Sequence, residues 1–497
     1  MSARFFPLSS FLKLLGFILC LNNASLSYAD QIPGLSNNNN YPVIELPDLG
    51  NPSSQTLSLA EEQALGVQFM QIVWQMLPVN TDPIVESYIQ NLGQRLVAHS
   101  PSHGRQFAFF VIDDNSINAF AGPGGYIGVH SGLILMAKNE SELAAVMAHE
   151  IAHVSQRHVA RGIEKSNSVR LSTLAGLLGS LLVGSQSPEL GAGALAATLS
   201  SAQRSMLNFS RNNEQEADRI GMDSLERSGF DANSMATFFD TLGRNTYQDP
   251  SIPEFLQTHP LSQKRLSDAL NHSARYKTKN LPDNLNFLLI QARLRVTITR
   301  DPRKSLAYYN DRLKDSKDLQ FTANQYGYAL ALHKNFKAEL AINLLETLIK
   351  RYPDELIFQL SLIDMWVAEK NYNTALQQLK KLHTLYPNNY AINVEYANSA
   401  ALANQPKEAI RFYRHAIFQQ PTNLQLYADL ARAYANNKQL VEAYMTRSKM
   451  FALLGNNSRA IGLLQQAKKQ PGLTANQLAV IEARLRDLGL KEDKENN

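Results

Sequence analysis

Met147-Ala148-His149-Glu150-Ile151-Ala152-His153-Val154-Ser155-Gln156 is the stretch that decides how this chain folds and what chemistry it carries. On a helix, residues four apart share one face. His149 and His153 can therefore turn both imidazoles toward one metal ion, with Glu150 beside them. That grouping binds zinc and activates a water for peptide-bond hydrolysis. The surroundings agree. The spacing predicts a helix over 140–158, with Asn139 as N-cap and Glu142 as its reciprocal partner. Between Leu143 and Val154 the only polar residues are His149, Glu150 and His153. Burying three ionisable side chains without a metal to pair them is costly.

A catalytic zinc takes three protein ligands and keeps a fourth position for water or substrate. The third should come from a later helix, and Asn213-Glu214-Gln215-Glu216-Ala217-Asp218-Arg219-Ile220-Gly221 offers it. Glu214 and Asp218 lie on one helical face. Glu214 is the expected third ligand. Asp218, one turn on, is expected to hold the free ring N–H of a ligating histidine. Glu216 points away from that face and reads as a surface carboxylate.

His149-Glu150-x-x-His153 followed by Asn213-Glu214-x-Glu216-Ala217-Asp218-x-x-Gly221 resembles the zinc peptidases related to HtpX and the CAAX prenyl proteases. More narrowly, the chain is similar to the secreted branch that joins this domain to tetratricopeptide repeats. The resemblance implies one Zn2+ per chain on His149, His153 and Glu214, and Glu150 as general base. It also implies that His259 and Arg265, in Gln257-Thr258-His259-Pro260-Leu261-Ser262-Gln263-Lys264-Arg265, approach the metal. Each could donate to the oxyanion formed when water attacks the carbonyl. A neutral His259 could instead take the fourth zinc position and shut the site. The branch further implies folding assistance for outer-membrane β-barrels and degradation of stalled ones. Its partners would be unfolded or stalled polypeptides and, through the repeats, the β-barrel assembly machinery.

The N-terminus reads as a signal peptide over 1–29. Arg4 and Lys13 precede and flank the short apolar run Leu14–Leu21, and Ser27-Tyr28-Ala29 is a small-x-small cleavage site. The only cysteine, Cys20, falls inside this leader, so the mature chain would contain none, which suits the periplasm. Losing Arg4 and Lys13 takes the formal net charge from +4 to about +2. With no basic tract, nucleic acid is not an expected partner. Residues 30–57, rich in Asn, Pro and Ser, read as a flexible lead-in.

Residues 58–280 form the expected metallopeptidase domain. Ser58–Met76 and Ile84–Ala98 have helical periodicity, and Gln106–Ile112 is a strand by its aromatic and β-branched content. Asn118–Phe120 and Tyr126–His130 read as further short strands around a Gly122-Pro123-Gly124-Gly125 turn. Leu171–Leu199 is apolar but broken by Gly and Ser, short of the roughly 18 residues of a span, and reads as a lid or membrane-contacting segment.

Downstream, Pro353, Pro387 and Pro421 recur every 34 residues. Ala307, Ala341, Ala375, Ala409 and Ala443 keep the same period, as do Ala329, Ile363, Ala397 and Ala431. Small residues recur where paired helices press together, and proline follows the second helix. This predicts four to five tetratricopeptide repeats over 288–485, with Gly455 where the next proline would fall, and a disordered tail over 486–497. The fold class is α+β and mostly α: a zincin-like metallopeptidase domain with a small sheet, then an all-α repeat solenoid.

Overall fold

A capping box opens the first helix, α1 (Leu59–Met76): the Ser58 hydroxyl accepts from the Glu61 amide while the Glu61 carboxylate accepts from the Ser58 amide. The computed structural model describes residues 57–102, 105–166, 211–248, 254–279 and 281–489. The signal peptide, the lead-in up to residue 56, the 171–199 segment and residues 490–497 lie outside the described residues.

Helix α2 (Pro83–Val97) follows, capped by Asp82. Strands β1 (Ala108–Ile112), β2 (Ala119–Ala121) and β3 (Tyr126–His130) form one sheet in the order β1-β3-β2. β1 pairs with β3 in parallel, and β2 pairs with β3 antiparallel. β2 is thus an edge strand. The Gly122-Pro123-Gly124-Gly125 turn before β3 is packed tightly by α1: a Cβ on Gly66 would sit 2.6 Å from the Pro123 carbonyl oxygen. Helix α3 (Ser131–Met136) leads into α4 (Glu140–Ser155), which carries the opening motif.

Two details of α4 differ from the sequence reading. The Asn139 side chain does cap the Glu142 amide, but the Glu142 carboxylate accepts from Lys138 N rather than from the cap residue itself. The helix also stops at Ser155 instead of reaching His158. Arg157 adopts a left-handed φ of 51°, its guanidinium held by Glu62 and by the Leu57 carbonyl. A new helix, α5 (His158–Ser166), then starts in another direction. Helices α6 (Arg211–Arg227), α7 (Ser234–Gln248), α8 (Glu254–Thr258) and α9 (Gln263–Ser273) complete this half of the molecule.

Helix pairs then run from Leu285–Ile298 with Pro302–Asp315 to Asn457–Lys468 with Ala475–Asp487. There are six pairs among the described residues, and the last helix takes in residues 486–487 of the stretch read as tail. The sequence period marks only the inner four. In these, the turn between the two helices is made by Phe336, Lys370, Asn404 and Lys438, all left-handed (φ 61°, 61°, 55° and 62°) and 34 residues apart. Ala341, Ala375, Ala409 and Ala443 are buried at the helix crossings as expected. Ala307 is not: it is exposed, and in the first pair the buried small residue is Ser305, while the Tyr309 ring lies against Gly327 of the next pair.

The first helices of the pairs face the peptidase domain. Arg293 bonds Asp82 and Asp364, and Glu86 on α2 accepts from Tyr390 (2.7 Å) and Asn423 (2.8 Å). One apolar core runs from Ile84 through the zinc-motif helix to Ala433. Farther along, Gln75 of α1 donates to the Leu454 carbonyl (2.9 Å). No helix among the described residues is long and apolar enough to cross a membrane.

Candidate metal centre

Helices α4 and α6 cross closely because Gly221 has no side chain. A Cβ there would lie 3.0 Å from the His149 amide nitrogen and 3.1 Å from the Ala148 carbonyl. This approach lays the Glu214–Asp218 face of α6 along the His149–His153 face of α4. All of these side chains are buried.

His149 Nε2 and His153 Nε2 are 2.9 Å apart, and each faces a Glu214 oxygen, at 3.5 and 3.4 Å. His259, just beyond the short helix α8, adds Nδ1 at 3.3 Å from His149 Nε2 and 3.2 Å from Glu214 Oε1. These four ligand atoms lie within 4.8 Å of one another. Bonds of about 2.0–2.1 Å to a tetrahedral ion place neighbouring ligand atoms about 3.3 Å apart, so the spacing fits zinc. The chemistry fits too: lone pairs of three imidazoles and a carboxylate converge here, and a cation satisfies them together.

The electrostatics follow from burial against pairing. Burial resists charging His149, but Asp218 and Glu214 outweigh it and push its pKa up to about 9. His149 Nδ1 lies 3.0 Å from Asp218 Oδ1, the contact expected of Asp218. Burial dominates at His153 and holds it well below the usual histidine range. Burial also opposes ionising Glu214, yet His259 and the two motif histidines together hold it far below the usual carboxylate range. At Glu150 burial wins: it raises the pKa against the nearby His259 and His149 and a hydrogen bond from the Ala121 backbone, with His259 Nε2 3.5 Å from the carboxylate.

Arg265 reaches the site with its guanidinium engaged by carboxylates. Its Nε and one terminal nitrogen make a bidentate pair with Asp218 (2.7 and 2.8 Å). The other reaches Glu214 (2.8 Å) and the Pro260 carbonyl (2.9 Å). A buried guanidinium committed to two carboxylates braces the ligands from behind. His259 places Nδ1 among the metal-facing atoms and Nε2 toward Glu150.

Glu216 faces away from the ligand group and is partly exposed, and it also binds His158 Nε2 (3.2 Å) and Arg161 (2.7 Å). His158 in turn places Nδ1 2.8 Å from His153 Nδ1. Burial, only partly offset by Glu216, lowers the His158 pKa to about 4. Sequence spacing gave no sign of this contact, because it depends on the break at Arg157. The only clue was a further histidine five residues past His153.

Comparison with known proteins places these features in context. Residues 83–273 match the family model Peptidase family M48. The chain is 33% identical over 443 residues to the beta-barrel assembly-enhancing protease of Yersinia pestis, covering 89% of this chain and 91% of that protein. It is 34% identical over 492 residues to a putative beta-barrel assembly-enhancing protease of Vibrio cholerae, covering 99% of each. Among solved structures, it is similar to a tetratricopeptide repeat protein from Parabacteroides merdae, with 17% identity and a TM-score of 0.27, covering 50% of this chain and 98% of that one.

Proposed function

Because the chain belongs to peptidase family M48, with the β-barrel assembly-enhancing proteases, it is a zinc metalloendopeptidase, and we propose that it acts in the periplasm on unfolded or misassembled outer-membrane β-barrel proteins. The observation that carries the reading is the convergence of His149, His153 and Glu214 beside the buried carboxylate of Glu150.

In this reading His149 Nε2, His153 Nε2 and a Glu214 oxygen hold one Zn2+ per chain. Zinc, when bound, supplies a Lewis acid that polarises the scissile carbonyl and acidifies water. Glu150 takes the proton of the attacking water on a carboxylate oxygen and delivers it to the leaving amide nitrogen. Its raised pKa makes it the stronger base. Asp218 accepts from His149 Nδ1–H and fixes that ring, and Arg265 fixes Asp218 and Glu214. Strand β2 packs on α4 and has no strand on its outer edge among the described residues, so an extended client segment can add to it by backbone pairing. Such pairing reads backbone rather than sequence, which suits unfolded clients. The solenoid brings clients or the assembly machinery through surfaces that the peptidase domain leaves uncovered.

A second reading, a chaperone or adaptor whose peptidase site is normally closed, is favoured by one observation: His259 Nδ1 completes the ligand group. The two readings are separable. Purified wild type should carry about one zinc per chain and cleave an unfolded β-barrel protein, and Glu150→Gln should keep the zinc and lose the cleavage. A wild type without zinc overturns the ligand assignment. Full rescue of outer-membrane integrity by Glu150→Gln would make the chaperone role the main one.

A further inference from the structure

We infer that His158 is a positioning residue for the zinc ligand His153, fixing the tautomer that leaves the His153 Nε2 lone pair facing the ion, with Glu216 and Arg161 holding His158 in turn. This rests on the ligand set proposed above.

The argument begins with the break in the backbone. Had α4 continued, residue 158 would lie five positions past His153, about 140° around the axis, with its ring on another face. The left-handed Arg157 ends the helix and returns His158 beneath the ligand. The two Nδ1 atoms are then 2.8 Å apart, a distance at which they share one proton. Which ring owns it is set from the far side. An ionised carboxylate only accepts, so Glu216 takes its hydrogen bond from His158 Nε2–H, at 3.2 Å. A neutral imidazole carries a single N–H, which leaves His158 Nδ1 as an acceptor. The shared proton therefore belongs to His153 Nδ1, and His153 Nε2 is left bare toward His149 and Glu214.

Arg161 completes the chain by binding the same Glu216 oxygen at 2.7 Å, which keeps that carboxylate ionised and oriented. His149 obtains the same result more simply, from Asp218. Metal-bound histidines usually donate their second N–H to a carboxylate, a carbonyl or water; here a second imidazole fills that place and a carboxylate stands behind it. The two ligands are consequently unequal, since His149 leans directly on a negative charge and His153 on a neutral ring.

The test uses the full mature chain and zinc itself as the probe. Zinc affinity is measured by competition with a chelator for wild type, His158→Phe, His158→Asn and Glu216→Ala. His158→Phe keeps the ring volume without an acceptor and should weaken zinc binding about 10- to 100-fold. His158→Asn, whose side-chain oxygen can accept near the lost Nδ1, should recover part of that loss. Glu216→Ala should fall between wild type and His158→Phe. The nitrogen-15 spectrum of the zinc-free protein should show His153 as the Nδ1–H tautomer in wild type and a mixture with Nε2–H in His158→Phe. A purely structural role would not move this signature. A folded His158→Phe with wild-type zinc affinity and an unchanged His153 tautomer overturns the inference. If His158→Phe does not fold, wild-type affinity in both other variants overturns it. A wild type that binds no zinc would instead sink the ligand assignment beneath it.

Discussion

Gly221 sets the distance between the two helices that make the metal centre, and adding one carbon there should separate metal affinity from fold stability. The added Cβ in Gly221→Ala would meet the His149 nitrogen at 3.0 Å and the Ala148 carbonyl at 3.1 Å. Ordinary contact begins near 3.4 Å, so α6 must retreat by about 0.4 Å or tilt. Glu214 and Asp218 ride on α6, whereas His149 and His153 are fixed to α4. Metal–ligand distances tolerate only about 0.2 Å. The predicted result is a zinc dissociation constant raised about 10- to 100-fold, equivalent to about 1.4–2.7 kcal/mol. Stability of the zinc-free protein should fall by no more than about 2 kcal/mol. Replacing a mid-helix glycine by alanine contributes about 1 kcal/mol, and the crowding costs about 1–3 kcal/mol. Chelator competition and thermal melts in excess chelator measure the two quantities. Wild-type affinity in a folded Gly221→Ala would refute the idea that this contact sets the ligand geometry; Gly221→Val, with a larger clash, should be worse than alanine on both counts.

His259→Ala removes the fourth atom of the ligand group, and cleavage of an unfolded substrate should rise at least several-fold; a fall to the Glu150→Gln level would make His259 a catalytic group instead. Arg265→Lys loses the bidentate grip on Asp218 and leaves two buried carboxylates poorly paired, a change worth about 3–5 kcal/mol. It should lower both the melting temperature and the zinc affinity. A variant that loses only turnover, with both unchanged, would restore the oxyanion-donor role. At the contact between peptidase and solenoid, burial pushes the Glu86 carboxyl up to about 8, above its ordinary value of 4.5, against the hydrogen bond from Tyr390. A raised carboxyl contributes stability that is complete below pH 4.5 and is lost as pH rises through 8, at about 1.4 kcal/mol per pH unit. Wild type should thus melt lower at pH 8 than at pH 5.5, and Glu86→Gln should flatten that slope; an equal slope in both proteins would rule Glu86 out as its source.

The parts of the fold that were legible in the sequence are those set by local periodicity. The zinc-motif helix, the three short strands and the inner four helix pairs each carry their own pattern. The 34-residue period was readable because the same contact recurs: a buried alanine in each second helix and a proline after three of the four. It failed at Ala307 because the first pair is out of register with the others: its second helix starts at Pro302, 36 residues before Ala338, so the buried small residue there is Ser305. The break at Arg157 was illegible for a different reason. Its left-handed backbone is held by Glu62 and Leu57, some 95 and 100 residues earlier in the chain. No local signal records a clamp of that kind, and with it went the position of His158.

The candidate site shows the same division more sharply. Spacing pointed to His149, Glu150, His153, Glu214 and Asp218 and the family resemblance to His259 and Arg265, whereas their roles depend on which charge each one meets. Arg265 makes the point. At six residues from His259 it could equally have faced an incoming carbonyl or the ligands, and the carboxylates decide. Glu214 and Asp218 are both buried, and two buried anions need compensation even before an ion arrives. Arg265 supplies one positive charge to both of them, and His149, with its pKa raised to about 9, supplies a second as a bound proton. Arg265 is therefore engaged by both carboxylates at once, behind the ligand atoms. An oxyanion donor must instead be free to meet a charge that appears only during reaction, and a guanidinium already committed to two permanent carboxylates does not satisfy that condition.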